Sequence, residues 1–358
     1  MLLRPVLAPR AAAADRDRVH NLLKTWGRNH ISHLAVHGAT SYHWFDEEGC
    51  VAYSLRGRVA LALGDPIGPP DLAKRGLESF VSYCEGQDWI PAFYQVDSER
   101  DYRELSFTLA PIGSEALIQT QAFELHCPER RELRYAVKRS EREGVRFEFM
   151  TGPDALATYW QQLRDVSDMW LQTRRGPELM YSLGTLSTLT DPDIVVGLAL
   201  GRDSRLETFV SWLPVPARKG WTLDLMRRRP DSIYGAMEAL IVRSIGEAAG
   251  RGVLEVSLGV APRVIAAGDS SGAADRALRA MYWGLDRFQR SRSLQHFKAK
   301  FNPRWEDRYL AVPSASTLPE VLIAIVRVHV PPLSSTVVWI SSALGSLFRP
   351  PAPRPSPA

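Results

Sequence analysis

The sequence predicts an α/β fold (α+β in its strand mix): two tandem units, each a mixed, mostly antiparallel sheet flanked by helices. Three observations carry that prediction. The chain has 358 residues, enough for two domains of about 150 residues each. Runs with strand alternation and runs with helical spacing follow one another in the same order in both halves. A turn-rich break stands after the third strand of each half, GDPIGPPD at Gly64–Asp71 and RRRPDS at Arg227–Ser232.

In the first half, Tyr42–Phe45, Val51–Leu55 and Val59–Leu63 are short strand-like runs parted by EEG and RG. Two glycines and three prolines around Asp65 then impose a rigid turn. Leu72–Glu85 has helical spacing, Ile90–Gln95 reads as a strand, Glu99–Phe107 as a helix and Leu117–Leu125 as a strand. The second half opens on a charged helix, Arg131–Glu143, then strand Val145–Met150 and helix Ala155–Trp170. Ile194–Leu200, Leu206–Leu213 and Trp221–Met226 read as its three strands. An amphipathic helix at Ile233–Ala249, strand Val253–Leu258, helix Ala273–Arg290 and a last strand near Tyr309–Val312 complete it. The units therefore span 1–125 and 126–313, with a tail over 314–358.

Composition narrows the function classes. With 45% hydrophobic and 23% charged residues the chain is not a disordered one. The net charge of +4 selects no partner, although only six of the 44 Lys+Arg are lysine. Arginine suits planar, two-pronged binding of phosphate or carboxylate. Cys50, Cys84 and Cys127 lack both a disulfide framework and zinc-site spacing, which fits a reducing, cytoplasmic setting. The N-terminus is broken by Arg4, Pro5 and Pro9, so no secretion signal is expected. Two late apolar runs, Val321–Val330 and Leu333–Phe348, suit either a helix packed on the core or contact with a bilayer interface. The closing RPPAPRPSPA is Pro-rich.

Two segments carry candidate chemistry. In DLMRRR, regular alternation sets Asp224 and Met226 on one face of a strand, and Leu223, Leu225 and Arg227 on the other. The arginines read either as a solvated basic edge or as an anion-binding mouth before a helix starting at Ile233. The second segment, His296–Leu310, interleaves cations with Phe, Trp and Tyr. That pattern suits nucleic acid, a membrane interface or a packed strand with snorkelling lysines. GDPIGPP lacks the features of a phosphate loop and reads as structural. His30, His33 and His37 share a helix face, but no Cys or acidic cluster beside them completes a ligand set, so no metal centre is expected. There is no GxSxG elbow.

Eight segments occur in one order: GDPIG (64–68), PAFYQV (91–96), LRYAVKRSEREGV (133–145), SDMWL (167–171), Glu178 with Ser182-Leu183-Gly184, DLMRR (224–228), SLGVAP (257–262) and FKAKFNPRWEDRYL (297–310). Together they resemble the cytosolic catalytic domain of the phosphatidylglycerol lysyltransferases and their alanyl-transferring relatives, over about residues 20–312. The resemblance implies two tandem units like those of the GNAT N-acyltransferases. It also implies transfer of an amino acid, lysine or alanine, from aminoacyl-tRNA to a hydroxyl of phosphatidylglycerol or a related anionic lipid. The enzyme would work peripherally on the inner face of the cytoplasmic membrane, with no cofactor. Asp224 and Arg227 become the catalytic pair, Asp224 as base or as holder of the substrate ammonium. Lys298, Lys300, Glu306, Arg308, Arg228, Asp65 and Glu178 become substrate-binding candidates, Arg227 and Lys300 holding a tRNA or lipid phosphate.

Typical members add an N-terminal multi-pass membrane domain that this sequence does not show, so synthesis without flipping, or a different acceptor, is expected. The stretch RVIAAGDSSGAA after SLGVAP falls where relatives vary. An aminoacyl ester is already activated, so the reaction needs no nucleotide site. Two other classes compete. A GNAT-type N-acyltransferase acting on a small molecule or peptide is disfavoured, because neither turn offers a short Gly-rich pyrophosphate loop. A non-catalytic lipid- or RNA-binding relative is disfavoured because DLMRR and KAKF are intact.

Overall fold

The computed structural model describes residues 8–9, 11–37, 41–97, 99–173, 178–262 and 291–330. The first half runs α1 (Ala13–Trp26), a 3-10 turn (Ser32–Val36), β1 (Ser41–Phe45), β2 (Gly49–Arg56), β3 (Val59–Leu63), α2 (Ala73–Gly86), β4 (Ile90–Val96), α3 (Arg100–Glu104) and β5 (Thr108–Gln119). The second runs α4 (Arg131–Arg142), β6 (Arg146–Thr151), α5 (Gly152–Gln172), a 3-10 turn (Leu186–Thr190), β7 (Val195–Leu200), β8 (Leu206–Val215), β9 (Gly220–Arg228), α6 (Ala236–Gly250), β10 (Glu255–Pro262), α7 (Ser291–Ala299) and β11 (Arg304–Val312). Helix α8 (Leu318–His329) follows. The expected helix over 273–290 lies outside the described residues.

All eleven strands form one mixed, mostly antiparallel sheet in the order β1-β2-β3-β4-β11-β5-β10-β9-β8-β7-β6. The repeat expected from the sequence is visible within it. β1–β3 and β7–β9 are antiparallel runs, and β4 and β10 each return parallel to the third strand of their half. The last strands are exchanged: β11 pairs with β4, while β5 pairs with β10, and β5 and β11 lie side by side.

Helices cover both faces, as burial of the nearly all-apolar strands requires. In the second half, Leu163 and Val166 of α5 pack with Leu198, Phe209 and Leu225 on one face. Leu240, Ile241 and Ile245 of α6 pack with Val210, Trp212 and Val256 on the other. α5 starts cleanly because the Thr151 hydroxyl accepts the Asp154 N–H and Pro153 occupies the first turn.

Several element boundaries differ from the sequence reading, four of them for an identifiable local reason. Ser106 adopts φ 64°, which ends α3 early and lets β5 begin at Thr108 instead of Leu117. β11 starts at Arg304, because the charges of its first half pair with neighbouring side chains and so hide a strand. α6 starts at Ala236 behind Gly235 at φ 85°, and the Ile233 N–H donates to Glu207 Oε2 at 3.2 Å. That N–H is thus committed, which removes it from the expected anion mouth. β9 continues through Arg228 and lies between β8 and β10, so the three arginines do not decorate a sheet edge.

α8 settles part of the tail. Leu318, Val321, Ala324 and Ile325 bury their side chains against Val59, Leu61, Ile112, Leu310 and Val312 of the sheet. Each large apolar side chain so buried stabilises the docking by about 1.5–3 kcal/mol. The apolar face of residues 318–329 is therefore packed on the core, as one of the two expected alternatives for this run has it; the run 333–348 lies outside the described residues. Among the described residues no helix is long and apolar enough to cross a membrane.

Candidate active site

The two halves differ where their third and fourth strands meet. β3 and β4 stay paired over five positions, Val59–Leu63 against Ile90–Tyr94. β9 and β10 pair only over Gly220–Thr222 against Glu255–Ser257. Beyond that the strands part, because β10 is broken by an irregularity between Ser257 and Val260, with Gly259 at φ 78°. The left-handed conformation at this position suits glycine.

Lys298, on α7, reaches into this opening. Its buried Nζ donates to the Val260 carbonyl at 3.0 Å. A Cβ placed on Gly259 would stand 3.6 Å from that ammonium and 3.7 Å from the Leu223 carbonyl oxygen of β9. Burial pulls the Lys298 pKa down to about 7, with only partial opposition from the Glu115 charge.

On the β9 side, a bulge overturns the regular alternation expected from the sequence. β9 pairs with β8 at Leu223–Trp212 and at Met226–Val210, so Asp224 and Leu225 stand together opposite Ser211. Leu223 and Met226 consequently pack toward α6, while Leu225 and Arg227 turn toward α5. Asp224 joins that second side. Its Oδ1 accepts the Gly184 N–H at 2.7 Å and its Oδ2 the Ser211 hydroxyl at 3.4 Å. Burial pushes the Asp224 carboxyl up to about 6 against the opposing pull of the Gly184 N–H, Arg227 and His37.

Arg227 is buried, its guanidinium bonded to the Ser167 hydroxyl of α5 and to the Glu178 carboxylate, and seated 5.2 Å from the Trp170 ring centroid. Its buried Nε–H has no acceptor among the described residues. Of the predicted residues, Lys298 lies at the opening, while Arg227 and Glu178 are bonded to each other on the side of β9 that Asp224 shares.

The other predicted residues are placed elsewhere. Arg308 is buried in an ionic hub between the halves, 3.1 Å from Asp97 Oδ1, 2.5 Å from Glu115 Oε2 and 3.2 Å from Glu306 Oε2. Burial alone would raise the Glu115 carboxyl, but His30 and Arg308 outweigh it and hold it at about 2. Asp65 belongs to the same hub: it accepts from Asn29 Nδ2 at 2.9 Å, the Asp97 N–H at 3.0 Å and the Tyr102 hydroxyl at 3.0 Å. Burial and the Asp97 charge push Asp65 up to about 6. These contacts tie Asp65, Glu306 and Arg308 to other side chains of the protein.

Lys300 lies apart from Lys298, its ammonium 3.1 Å from Glu238 and 3.2 Å from Glu132, so α6 and α4 already occupy the charge expected to grip a phosphate. Arg228 is exposed, and Arg229 turns back to the Leu206 carbonyl at 2.8 Å. The three arginines therefore do not act as one cationic cluster. Ser211, Gly184, Ser167 and Gly259 emerge as supporting residues. Ser167 and Gly184 fall in motifs visible in the sequence, whereas Ser211 has no signal there because a bulge aligns it with Asp224.

The sheet is thus built from two such units, the second opened between its parallel strands. Residues 20–312 match the family described as phosphatidylglycerol lysyltransferase, C-terminal, and the chain belongs to that family. Among relatives, an uncharacterised protein of Corynebacterium glutamicum is 29% identical over 325 residues, covering 88% of this chain and 41% of its own length. The lysylphosphatidylglycerol biosynthesis bifunctional protein LysX of Mycobacterium avium is 28% identical over 323 residues, 87% of this chain and 27% of its own. The chain thus spans less than half the length of these relatives.

Two solved structures are similar over 90% of the chain with a TM-score of 0.79. One is a C-terminal domain assigned to a lysylphosphatidylglycerol synthetase of Agrobacterium fabrum (25% identity, 99% of that chain). The other is L-PGS from Bacillus licheniformis (23% identity, 98% of that chain), a likeness of fold.

Proposed function

We propose that this protein transfers an aminoacyl group, lysyl or alanyl, from aminoacyl-tRNA to a hydroxyl of phosphatidylglycerol or a related anionic lipid. It would do so while held peripherally on the inner face of the cytoplasmic membrane. The observation that carries the reading is that the two strands that part, β9 and β10, each hold a buried group shifted toward neutrality: Asp224 on β9, pushed up to about 6, and Lys298 bound to Val260 of β10, pulled down to about 7. Acid–base groups poised near the working pH are what acyl transfer to a hydroxyl requires.

In this reading the lipid hydroxyl oxygen attacks the ester carbonyl carbon of the aminoacyl-tRNA. Its proton leaves to Asp224, the carbonyl becomes a tetrahedral oxyanion, and the C–O bond to the terminal ribose breaks. The departing ribose hydroxyl recovers the proton. The Lys298 ammonium supplies positive charge to the oxyanion in a site that excludes water, where such a charge acts most strongly. Arg227, locked by Ser167 and Glu178, holds the Asp224 side of the site in position. Because the donor ester is already activated, the residues need only align two substrates and move one proton.

The test is a transfer assay with labelled lysyl-tRNA and alanyl-tRNA, offered with phosphatidylglycerol vesicles, with and without ribonuclease. Label should reach the lipid fraction only when the RNA is intact. Transfer from acetyl-CoA to a peptide or small amine, with no lipid labelling, would overturn the proposal.

A further inference from the structure

We propose that His33, His37 and Asp191, backed by His20 and Asp193, form a binding site for one divalent transition-metal cation of the Zn2+ class. The five side chains come from three places in the chain: α1, the 3-10 turn that follows it, and the loop that leads into β7. Sequence reading sees only the histidines, since Asp191 lies 158 positions beyond His33.

The geometry points to a shared ion. Asp191 Oδ2 lies 2.9 Å from His33 Nε2 and 3.3 Å from His37 Nε2, so one carboxylate oxygen faces two imidazole nitrogens. The donor atoms of these three residues all lie within 4.8 Å of one another. Zn–N and Zn–O bonds of about 2.0–2.2 Å at tetrahedral angles place neighbouring ligand atoms about 3.3–3.6 Å apart. The two separations from Asp191, 2.9 and 3.3 Å, are already close to that spacing. His37 Nε2 is the second observation. It is cut off from solvent and faces the Asp191 carboxylate oxygen 3.3 Å away, a separation long for a hydrogen bond.

The carboxylate is already oriented: Asp191 Oδ1 accepts the Asp193 N–H at 2.9 Å. Next to it, His20 Nε2 lies 2.8 Å from Asp193 Oδ2, and His20, Asp191 and Asp193 form a second trio of adjacent donors. A fourth ligand is thus at hand, from His20, Asp193 or water. Imidazole nitrogens mixed with carboxylate favour Zn2+ over Mg2+ or Ca2+, which prefer oxygen alone.

Another trio, His30, Asp97 and Glu115, does not qualify. Its carboxylates are already bound by Arg308 and Arg218, whose charges oppose a cation. The His33 site has no arginine or lysine on its carboxylates among the described ion pairs. Loading it would join the first helix of the chain to the entry of β7, beside the core formed by Val19, Leu23, Leu34, Leu189 and Ile194.

The experiment uses the full chain without a histidine tag, stripped with a chelator and titrated with Zn2+ against a chromophoric competitor, and in parallel with Co2+. One Zn2+ per chain is expected, and Co2+ should give the intense visible bands of a four-coordinate nitrogen–oxygen site. His37→Ala should weaken Zn2+ at least about tenfold and abolish those bands. Of the two histidines His37 is the more exposed, 20% against 3%, which makes it the milder one to remove. The isosteric Asp191→Asn gives the same readout should His37→Ala fail to fold. Sub-stoichiometric binding, or Zn2+ affinity unchanged in the folded variants, would overturn the site.

Discussion

Asp224 and Arg227 stand on the same side of β9, although they are three residues apart on a strand that regular alternation would divide between them. The bulge opposite Ser211 brings this about. It lets the Arg227 charge act on the Asp224 carboxyl while Ser211 and Gly184 bind its two oxygens. The arrangement places a carboxylate in a costly environment, and costly charges mark sites of function.

Asp224→Asn tests that cost directly. The folded-state pKa is raised to about 6 from 3.8, so this group's contribution to stability is full below the unfolded pKa and is lost as pH rises through about 6. At pH 7 the ionised carboxyl therefore costs up to about 3 kcal/mol. The asparagine variant keeps an acceptor for the Gly184 N–H, so it should be more stable than the native chain at pH 7 by about 1–3 kcal/mol. Aminoacyl transfer should fall about 100-fold or more. Urea unfolding and the transfer assay measure the two effects.

Lys298→Met should reverse the pH trend of another buried charge. The folded pKa of Lys298 is lowered to about 7, so its contribution to stability is present above the unfolded pKa and is lost as pH falls through about 7. Between pH 7 and 9 the native chain should gain roughly 2–3 kcal/mol relative to the methionine variant. Parallel stability curves for the two proteins would show that Lys298 is not desolvated.

Gly184→Ala addresses position without altering charge. The new Cβ would fall 2.1 Å from Asp224 Oδ2 and 2.8 Å from the Thr188 hydroxyl, so the carboxylate must move. Overpacking of this kind costs about 1–3 kcal/mol. We expect kcat to drop at least about tenfold with KM little changed, since misplacement acts on the reacting geometry.

Arg308→Met separates a structural link from a substrate contact. It removes one cation shared by the buried Glu115 and Asp97, leaving Glu115 to His30 and Asp97 to Arg218, which should destabilise the fold by about 3 kcal/mol. A normally stable variant with only a raised KM would restore Arg308 to the substrate-binding role that its motif implied.

Much of the architecture was readable because β1–β3 and β7–β9 carry strand alternation and are followed by the same kind of break. Asp224 and Arg227 were readable as residues, but their shared side was not. A bulge changes facing by one residue and leaves no mark in composition. The roles of Lys298 and Lys300 could not be told apart, since burial of one and pairing of the other depend on α4, α6 and β10, remote in sequence. Asp65 and Arg308 looked like substrate ligands because fixed charges in a motif serve a buried hub as well as a ligand.

The exchange of β5 and β11 bears on how the chain comes to be made. Ser114 and Asp307, bonded across these two strands, are 193 positions apart. As the first half leaves the ribosome, β4 has no partner on one side and β5 has none on either, until β11 and β10 are synthesised. Pairing over such separations is slow, and bare strands invite association with other chains. Folding of the first half must therefore wait until β11 has been made, and chain cleaved between residues 125 and 126 should regain its structure only when both pieces are supplied together.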